Sequence, residues 1–530
     1  MNQFKKISAN FSKVNKAELE VIAEKLSCIL SKGDTLFLKG DLGAGKSTFA
    51  RALIRAIANT PELEVQSPTF PVLIPYETRR AEISHYDLYR LSDNSEVEEL
   101  GLYDELDSHI TLIEWPEQLG TNHNIHDRFE ISLEESELAE NEEDSRLLSI
   151  TAFGKQKEKC DRFFKVCNFL EATEWQEAKW QFLQGDASTR SYIRLKVSTG
   201  SSTDLQESKS DALLMNAPPQ PDGPPIRYGK PYSQIAHLAE NMTSFVAVSN
   251  ALIEAGLSAP KVHKFNIEEG LLLINDLGDH QLYHMITEQN ANQQNLYETA
   301  IDILCELRGH KPKPMEVGDR VYELPSYTND ALSIEAELVI DWYWPKLKST
   351  NITNDEREAY QKIWSKLFDD LAPNNKYWVL RDFHSPNLMH LPIESGLKTL
   401  GIIDFQDAVI GHAAYDVVSL CQDARITVPE AVERHLLSRY VERAKQQDHS
   451  FDEEDFLRAY AILGAQRASK LLGIFVRLAV RDGKKNYLTH IPRIWDYLER
   501  NLKHPHLIDI FNWYETNFPE ELRIKRDGCW

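Results

Sequence analysis

Two stretches of this chain have residue types and spacings suited to phosphate chemistry. The first is Gly40-Asp41-Leu42-Gly43-Ala44-Gly45-Lys46-Ser47, which fills every fixed position of G-x-x-x-x-G-K-[ST]. Glycines let a backbone wrap phosphates so that several N–H groups point inward, and a helix that follows adds its partial positive charge. Lys46 would reach the β/γ-phosphates and the Ser47 hydroxyl would ligate Mg²⁺. Gly40, Asp41, Gly43, Ala44, Gly45, Lys46 and Ser47, with Thr48 after them, are the expected nucleotide-binding set. Such a loop needs a carboxylate at a neighbouring strand end. Asp87 follows the apolar run 83–86 and Glu114 follows 110–113; either could instead cap a helix. No N-K-x-D guanine signature occurs beyond the loop, Asn15-Lys16-Ala17-Glu18 being the nearest approach, so adenine is expected and ATP is the expected nucleotide.

The second stretch is Arg381-Asp382-Phe383-His384-Ser385-Pro386-Asn387. Asp382 and Asn387 have the spacing at which an aspartate takes the proton of an attacking hydroxyl and an asparagine binds Mg²⁺. Gly401-Ile402-Ile403 then reads as a buried strand ending at Asp404, the place of a metal-binding aspartate. His384 could take part in the chemistry, but bonding the loop backbone is its expected role. Upstream, Gly185-Asp186-Ala187-Ser188-Thr189-Arg190 is a small-residue turn suited to covering phosphates, with Ser188 and Arg190 as candidate contacts. The strand lysine that such chemistry usually employs is absent from 212–219; Arg190, Arg194 or Lys196 could supply the charge.

The elements that must carry these residues follow from periodicity. Thr35-Leu36-Phe37-Leu38 is a strand leading into the first loop, and Phe49, Leu53, Ile54 and Ile57 have helical spacing after it. With the runs at 83–86, 110–113 and 147–152 they predict an α/β sheet with ligand chemistry at its C-terminal strand ends. The acidic stretch 134–144 reads as a solvated loop. A helical segment with Phe163, Phe164, Val166, Phe169 and Leu170 follows, then strand-like sequence, a Pro-rich turn at 217–231, and from about 281 a mostly helical region. Three bodies are predicted: 1–155, 160–280 and 281–530.

Composition bounds the rest. The 530 residues suit about three or four domains, and 42% hydrophobic content with 21 Phe, 20 Tyr and 10 Trp excludes a disordered scaffold. Lys plus Arg total 59 against 82 Asp plus Glu, a formal charge of -23, so no strong direct nucleic-acid grip is expected. Six cysteines form no C-x-x-C pair, which reads as reduced thiols. No secretory h-region or membrane-length apolar run is seen, and a cytoplasmic protein without membrane contact is expected.

The phosphate-binding loop, Ser67-Pro68-Thr69-Phe70, His85-Tyr86-Asp87-Leu88-Tyr89-Arg90-Leu91 and Glu114-Trp115-Pro116-Glu117 occur in that order. As a set they resemble the TsaE family, the ATPase subunit of the bacterial tRNA threonylcarbamoyladenosine machinery. That resemblance covers about 1–155. It implies ATP hydrolysis that recycles a partner complex, with Thr69 in a switch-like loop and Asp87 as catalytic or metal-positioning carboxylate. It also implies Glu114 near Mg²⁺, Trp115 at the nucleotide and Arg146 on the phosphate side. The family works with partner subunits that handle the tRNA, which suits an acidic chain.

The second stretch, together with Tyr192, Arg194, Met215-Asn216-Ala217-Pro218-Pro219, Asp276-Leu277-Gly278-Asp279, Ile403-Asp404-Phe405-Gln406-Asp407-Ala408, Tyr415-Asp416 and Gln466-Arg467, resembles the aminoglycoside phosphotransferase superfamily. It looks most like the branch of anomeric N-acetylmuramate/N-acetylglucosamine kinases, over about 160–530. The resemblance implies a two-lobed, α+β protein-kinase-like fold and ATP-dependent phosphorylation of a cell-wall amino sugar in peptidoglycan recycling. The expected whole is an α/β P-loop NTPase domain followed by that kinase. A regulatory module in the kinase half, or another alcohol acceptor such as an aminoglycoside or choline, stands as the alternative.

Overall fold

The computed structural model describes residues 7–91, 94–120, 123–135, 145–183, 190–197, 211–219, 223–239 and 241–523. The chain forms two compact units: Met1–Pro218 with Lys264–Asp276, and Pro219–His263 with Leu277–Trp530.

The first unit contains a seven-stranded sheet. Its strands are β1 (Ile7–Val14), β2 (Thr35–Lys39), β3 (Leu73–Glu77), β4 (Glu82–Asp87), β5 (Ile110–Glu114), β6 (Arg128–Glu135) and β7 (Arg146–Phe153), in the order β1-β7-β6-β2-β5-β4-β3. β6, β2, β5 and β4 run parallel, while β1, β7 and β3 pair antiparallel at the edges. The central parallel strands β2 and β5 are mostly apolar, as a sheet covered on both faces requires: every residue of β5 is buried. Helix α1 (Lys16–Ser27) starts from a capping box between Asn15 and Glu18. Helix α2 (Lys46–Ala58) leaves the phosphate-binding loop and buries Phe49, Leu53, Ile54 and Ile57. β1 and β3 were not anticipated from sequence. β6 begins before, and runs into, the acidic stretch assigned to a loop, its alternating Phe129, Ile131 and Leu133 being the missed signal.

A second sheet lies in the same unit. It holds β8 (Lys179–Leu183), β9 (Ser191–Lys196), β10 (Ala212–Asn216), β11 (Val262–Asn266) and β12 (Leu271–Asn275), ordered β11-β12-β10-β9-β8. Helix α3 (Gln156–Leu170) joins the two sheets, and it is not a spacer. Cys160, Phe163, Val166, Phe169 and Leu170 belong to one apolar cluster that also contains Leu36, Phe49 and Leu53 of the first sheet layer and Trp180, Ile193 and Leu214 of the second. Polar contacts reinforce it. The Lys159 ammonium and the Gln156 amide both bond buried Asp34, at 2.7 and 2.8 Å. The Arg80 guanidinium lies 3.9 Å from the Phe182 ring centroid. The compact units therefore divide the chain differently from the motif boundaries at 155 and 280, because burial of α3 draws the second sheet into the first unit.

The second unit is mainly helical. Its functional part uses α4 (Thr243–Glu254), α5 (Gln293–Gly309), α6 (Asn329–Ala336), α7 (Ala414–Cys421) and α8 (Glu453–Arg481), with four short strands. These are β13 (Tyr377–Val379) paired with β16 (Val409–Gly411), and β14 (Leu388–His390) paired with β15 (Leu400–Ile402). α8 is 29 residues long; Asp452 caps it and Glu453, Glu454 and Asp455 in its first turn complement its dipole. Among the described residues no helix is long and apolar enough to cross a membrane.

Candidate active sites

The first site forms where β2 ends. Gly40 has φ +136 and a Cβ there would sit 2.3 Å from the Leu133 carbonyl oxygen, so only glycine fits. Gly45, at φ +107, turns the chain into α2, whose free N–H groups face the loop. Lys46 is buried; its ammonium donates to the carbonyls of Gly40 and Asp41 at 2.7 and 2.8 Å and lies 3.9 Å over the Trp115 ring. Burial lowers its pKa from the ordinary lysine value, against the opposing pull of Glu114 and Asp87. Trp115, in a left-handed conformation after β5, also meets the Tyr89 ring at 4.9 Å.

The parallel register of β4 and β5 sets Asp87 opposite Glu114, and both carboxylates are buried. The Ser47 hydroxyl donates to Glu114 Oε2 at 3.0 Å, and Thr69 donates to Asp87 Oδ2 at 2.8 Å. The Tyr89 N–H holds the other Asp87 oxygen at 3.1 Å. His85 was overlooked in the sequence: its Nε2 lies 2.9 Å from Glu114 Oε1, so Glu114 is fixed at both oxygens. The signal was available, since residues 85 and 87 share one face of a strand. Arg146 pairs across from Glu135 at the end of β6 that lies beside the loop, which puts its backbone at the phosphate-loop end of the sheet. Thr48 occupies the first turn of α2 and is half-buried, and Gly43 and Asp41 are exposed at the loop's rim. A hydroxyl and two carboxylates beside the N-terminus of α2 suit a nucleotide with a hard divalent cation.

In the second unit the loop after β13 is held from several sides. Asp416 of α7 accepts the N–H groups of Leu380 and Arg381 at 2.6 and 2.9 Å. Burial pushes its carboxyl up to about 7, against the downward pull of these bonds. Asp423 accepts the Ser385 N–H at 2.9 Å, the Ser385 hydroxyl at 2.6 Å and the Tyr297 hydroxyl at 2.9 Å. Arg381 has φ +70 and its side chain is buried against Glu335 of α6, which also binds the Lys470 ammonium of α8 at 2.9 Å. The strained backbone at Arg381 persists because these partners over-determine it.

This scaffold presents Asp382, Asn387 and Asp404 together. The Asn387 amide donates to the Asp382 carbonyl at 2.9 Å and to Asp404 Oδ2 at 3.4 Å; Gln406 holds Asp404 Oδ1 at 2.9 Å. Asp404 has φ +59, a second strained position at the same site. Burial would raise the Asp382 carboxyl, but the charges of Lys470, His384, Arg381 and Arg467 outweigh it and hold the group below the usual carboxylate range. The His384 Nδ1 is buried without a hydrogen-bond partner, so that nitrogen does not bond the loop backbone as expected. Phe405 packs on Phe245 of α4 at 4.9 Å, anchoring the segment that carries Asp404. The side-chain oxygens of Asn387 and Asp404 fit a hard cation, by their chemistry and their closeness.

Of the candidates for the missing strand lysine, Arg194 on β9 is nine-tenths buried and pairs with Asp276 at 2.5 Å. Lys196 is exposed and Arg190 half-buried at the approach to β9. Ser188 lies outside the described residues.

Residues 14–144 match the family described as threonylcarbamoyl adenosine biosynthesis protein TsaE, and residues 181–460 match the phosphotransferase enzyme family. An N-acetylmuramate/N-acetylglucosamine kinase of Caulobacter vibrioides is 34% identical over 358 residues, which is 67% of this chain and 96% of that protein. A TsaE protein of Rickettsia felis is 41% identical over 103 residues, 19% of this chain and 60% of that protein. The corresponding protein of Rickettsia prowazekii is 38% identical over 103 residues and 71% of its length is covered. The chain belongs to two families at once, joining a TsaE-family P-loop ATPase to a member of the phosphotransferase enzyme family.

Proposed function

We propose that the chain is bifunctional. Its N-terminal part, 1–155, hydrolyses ATP in support of tRNA N6-threonylcarbamoyladenosine formation at A37, working with partner subunits that hold the RNA. Its kinase part, with lobes at 160–280 and 281–530, phosphorylates N-acetylmuramate or N-acetylglucosamine at the anomeric hydroxyl, in the cytoplasm and in peptidoglycan recycling. The observation that supports this reading is that two separate groups of side chains suit phosphate chemistry: Lys46, Ser47, Asp87 and Glu114 in one unit, and Asp382, Asn387 and Asp404 in the other.

In the kinase site the acceptor hydroxyl oxygen attacks the γ-phosphorus, the bond to the ADP oxygen breaks, and the hydroxyl proton passes to an Asp382 carboxylate oxygen. Holding Asp382 below the usual carboxylate range keeps it ionised and ready as the base. Asn387 and Asp404 are the residues that would hold Mg²⁺, which when bound neutralises phosphate charge. In the first site Ser47 and Glu114 are the corresponding holders, with His85 and Thr69 fixing the carboxylates. Arg146, Trp115, Arg190 and Ser188 are assigned to nucleotide contacts.

The test is product identification with the full chain and ATP, offering N-acetylmuramate, N-acetylglucosamine, an aminoglycoside and choline in parallel. Phosphorus NMR should show an acid-labile anomeric phosphate with the amino sugars alone. Turnover only with choline or the aminoglycoside would replace the acceptor assignment.

A further inference from the structure

The Pro-rich turn leads into a short helix, Tyr232–Ile235, whose end is closed tightly. The Leu238 N–H donates back to the Ser233 carbonyl at 2.9 Å, and His237 before it has φ +52. This is the left-handed helix stop that glycine usually fills, so a histidine there is held at a cost. Anchors on the same segment offset that strain. Ile235 and Ala236 are buried against Ile334 of α6, and upstream Arg227 pairs with buried Glu337 at 2.7 Å.

Bonds from two directions join this stop to the kinase site. The Arg381 guanidinium, already paired with Glu335, donates to the Ala236 carbonyl at 2.8 Å and to the His237 carbonyl at 3.5 Å. Arg381 immediately precedes Asp382. From the other side, Asp407 Oδ1 accepts the Ala239 N–H at 2.6 Å. Asp407 lies on the segment of Asp404, and Gln406 beside it holds Asp404 Oδ1 at 2.9 Å. The run from Ala236 to Ala239 is therefore gripped by the base-bearing loop at one end and by the Asp404 segment at the other. The two limbs also meet directly, where the Ile403 N–H donates to the Asn387 carbonyl at 3.0 Å. That contact sets the Asn387 end of the loop, whereas the 236–239 stop ties in the Asp382 end.

We propose that Asp407 is a positioning residue for phosphoryl transfer: by holding the Ala239 N–H it sets the Asp404 carboxylate in register with Asp382. This rests on the reading of Asp382, Asn387 and Asp404 as a phosphotransfer site and deepens it. Asp407 acts through the backbone of 236–239 and needs no contact with either substrate. A carboxylate that accepts a backbone N–H makes a charge-assisted bond, stronger than a neutral one. Groups that orient a cation-holding side chain govern affinity for the cation almost as the holder itself does. Loss of the Asp407 bond should therefore appear first in the Mg²⁺ requirement.

The experiment compares Asp407→Ala and Asp407→Asn with wild type in the full chain, following sugar-dependent ADP formation while free Mg²⁺ is varied. Asp407→Ala should lower kcat about tenfold, the loss of one charge-assisted bond, and leave the sugar KM within about twofold. It should also raise the Mg²⁺ concentration for half-activation by roughly fivefold. Asparagine keeps an oxygen that can accept the Ala239 N–H, so Asp407→Asn should stay within about threefold of wild type in both. A role in stability alone would remove active molecules and leave the Mg²⁺ midpoint where it is. An unchanged midpoint in Asp407→Ala, or an asparagine variant as impaired as alanine, therefore overturns the inference. A wild type that forms no sugar-dependent ADP overturns the phosphotransfer reading instead. Hydrogen exchange then judges the tie itself: peptides covering 232–239 and 403–408 should exchange about tenfold faster in Asp407→Ala, and equal rates there refute it.

Discussion

Phe163→Ala probes the shared core most sharply. Phe163 is 1% exposed on α3 and meets Phe164 and Trp180 edge-on, with ring centroids 5.3 and 6.2 Å away. Truncating a fully buried Phe removes its transfer free energy and leaves a cavity, a loss of about 3 kcal/mol or more. For a unit of this size that lowers the melting temperature by roughly 6–12 °C. Because the cluster spans both sheets of the first unit, the loss should not stay in one of them. Hydrogen exchange followed by mass spectrometry can resolve the sheets separately. Amides of β2 and β5 and those of β9 and β10 should all exchange about a hundredfold faster in the variant. Acceleration confined to β8, β9 and β10, with β2 and β5 unchanged, would show that the two sheets fold independently and refute the argument.

Three further outcomes follow from the sites. Gly40→Ala drives a Cβ against the Leu133 carbonyl, so the loop must shift; sugar-independent ATP hydrolysis should fall about a hundredfold while sugar-dependent ADP formation persists. Asp423→Ala strands the Ser385 and Tyr297 donors under the catalytic loop; sugar phosphorylation should drop more than a hundredfold and leave basal ATP hydrolysis intact in a coupled ADP assay. Burial alone would raise the Glu335 carboxyl, but Lys470 and Arg381 outweigh it and hold it at about 2. A carboxyl depressed below its ordinary 4.5 contributes stability that is present above that pH and lost as pH falls toward 2. The urea midpoint of the wild type should therefore decline between pH 4.5 and 3, and Glu335→Gln should start lower and flatten that decline.

Both candidate sites can be read from the sequence because the residues proposed for them lie close together along the chain. A glycine loop needs fixed spacing, and Asp382 with Asn387 lies within one short segment. What supports them was harder to read. Asp416, Asp423 and Glu335 act across 35 to 46 residues of sequence, through bonds that only the folded backbone brings together. Buried carboxylates within a helix, as at Asp416 and Glu335, or just past one, as at Asp423, carry no periodic signature that distinguishes them from solvated ones. Helix α3 was visible as an apolar helical segment, but its two-sided burial was not, so the boundary near 155 looked like a linker. The edge strand β3 escaped for a similar reason, since a five-residue strand that is only partly buried has a weak pattern.

If one chain holds two phosphate-transfer sites, each can be silenced without the other. ADP production by the full chain, measured with and without N-acetylmuramate, for wild type, Lys46→Ala and Asp382→Ala, tests it directly. Lys46→Ala should abolish sugar-independent hydrolysis and keep the sugar-stimulated rate, while Asp382→Ala should do the reverse. If Asp382→Ala retains sugar-stimulated ADP formation, or Lys46→Ala leaves basal hydrolysis unchanged, the assignment of chemistry to these sites is contradicted.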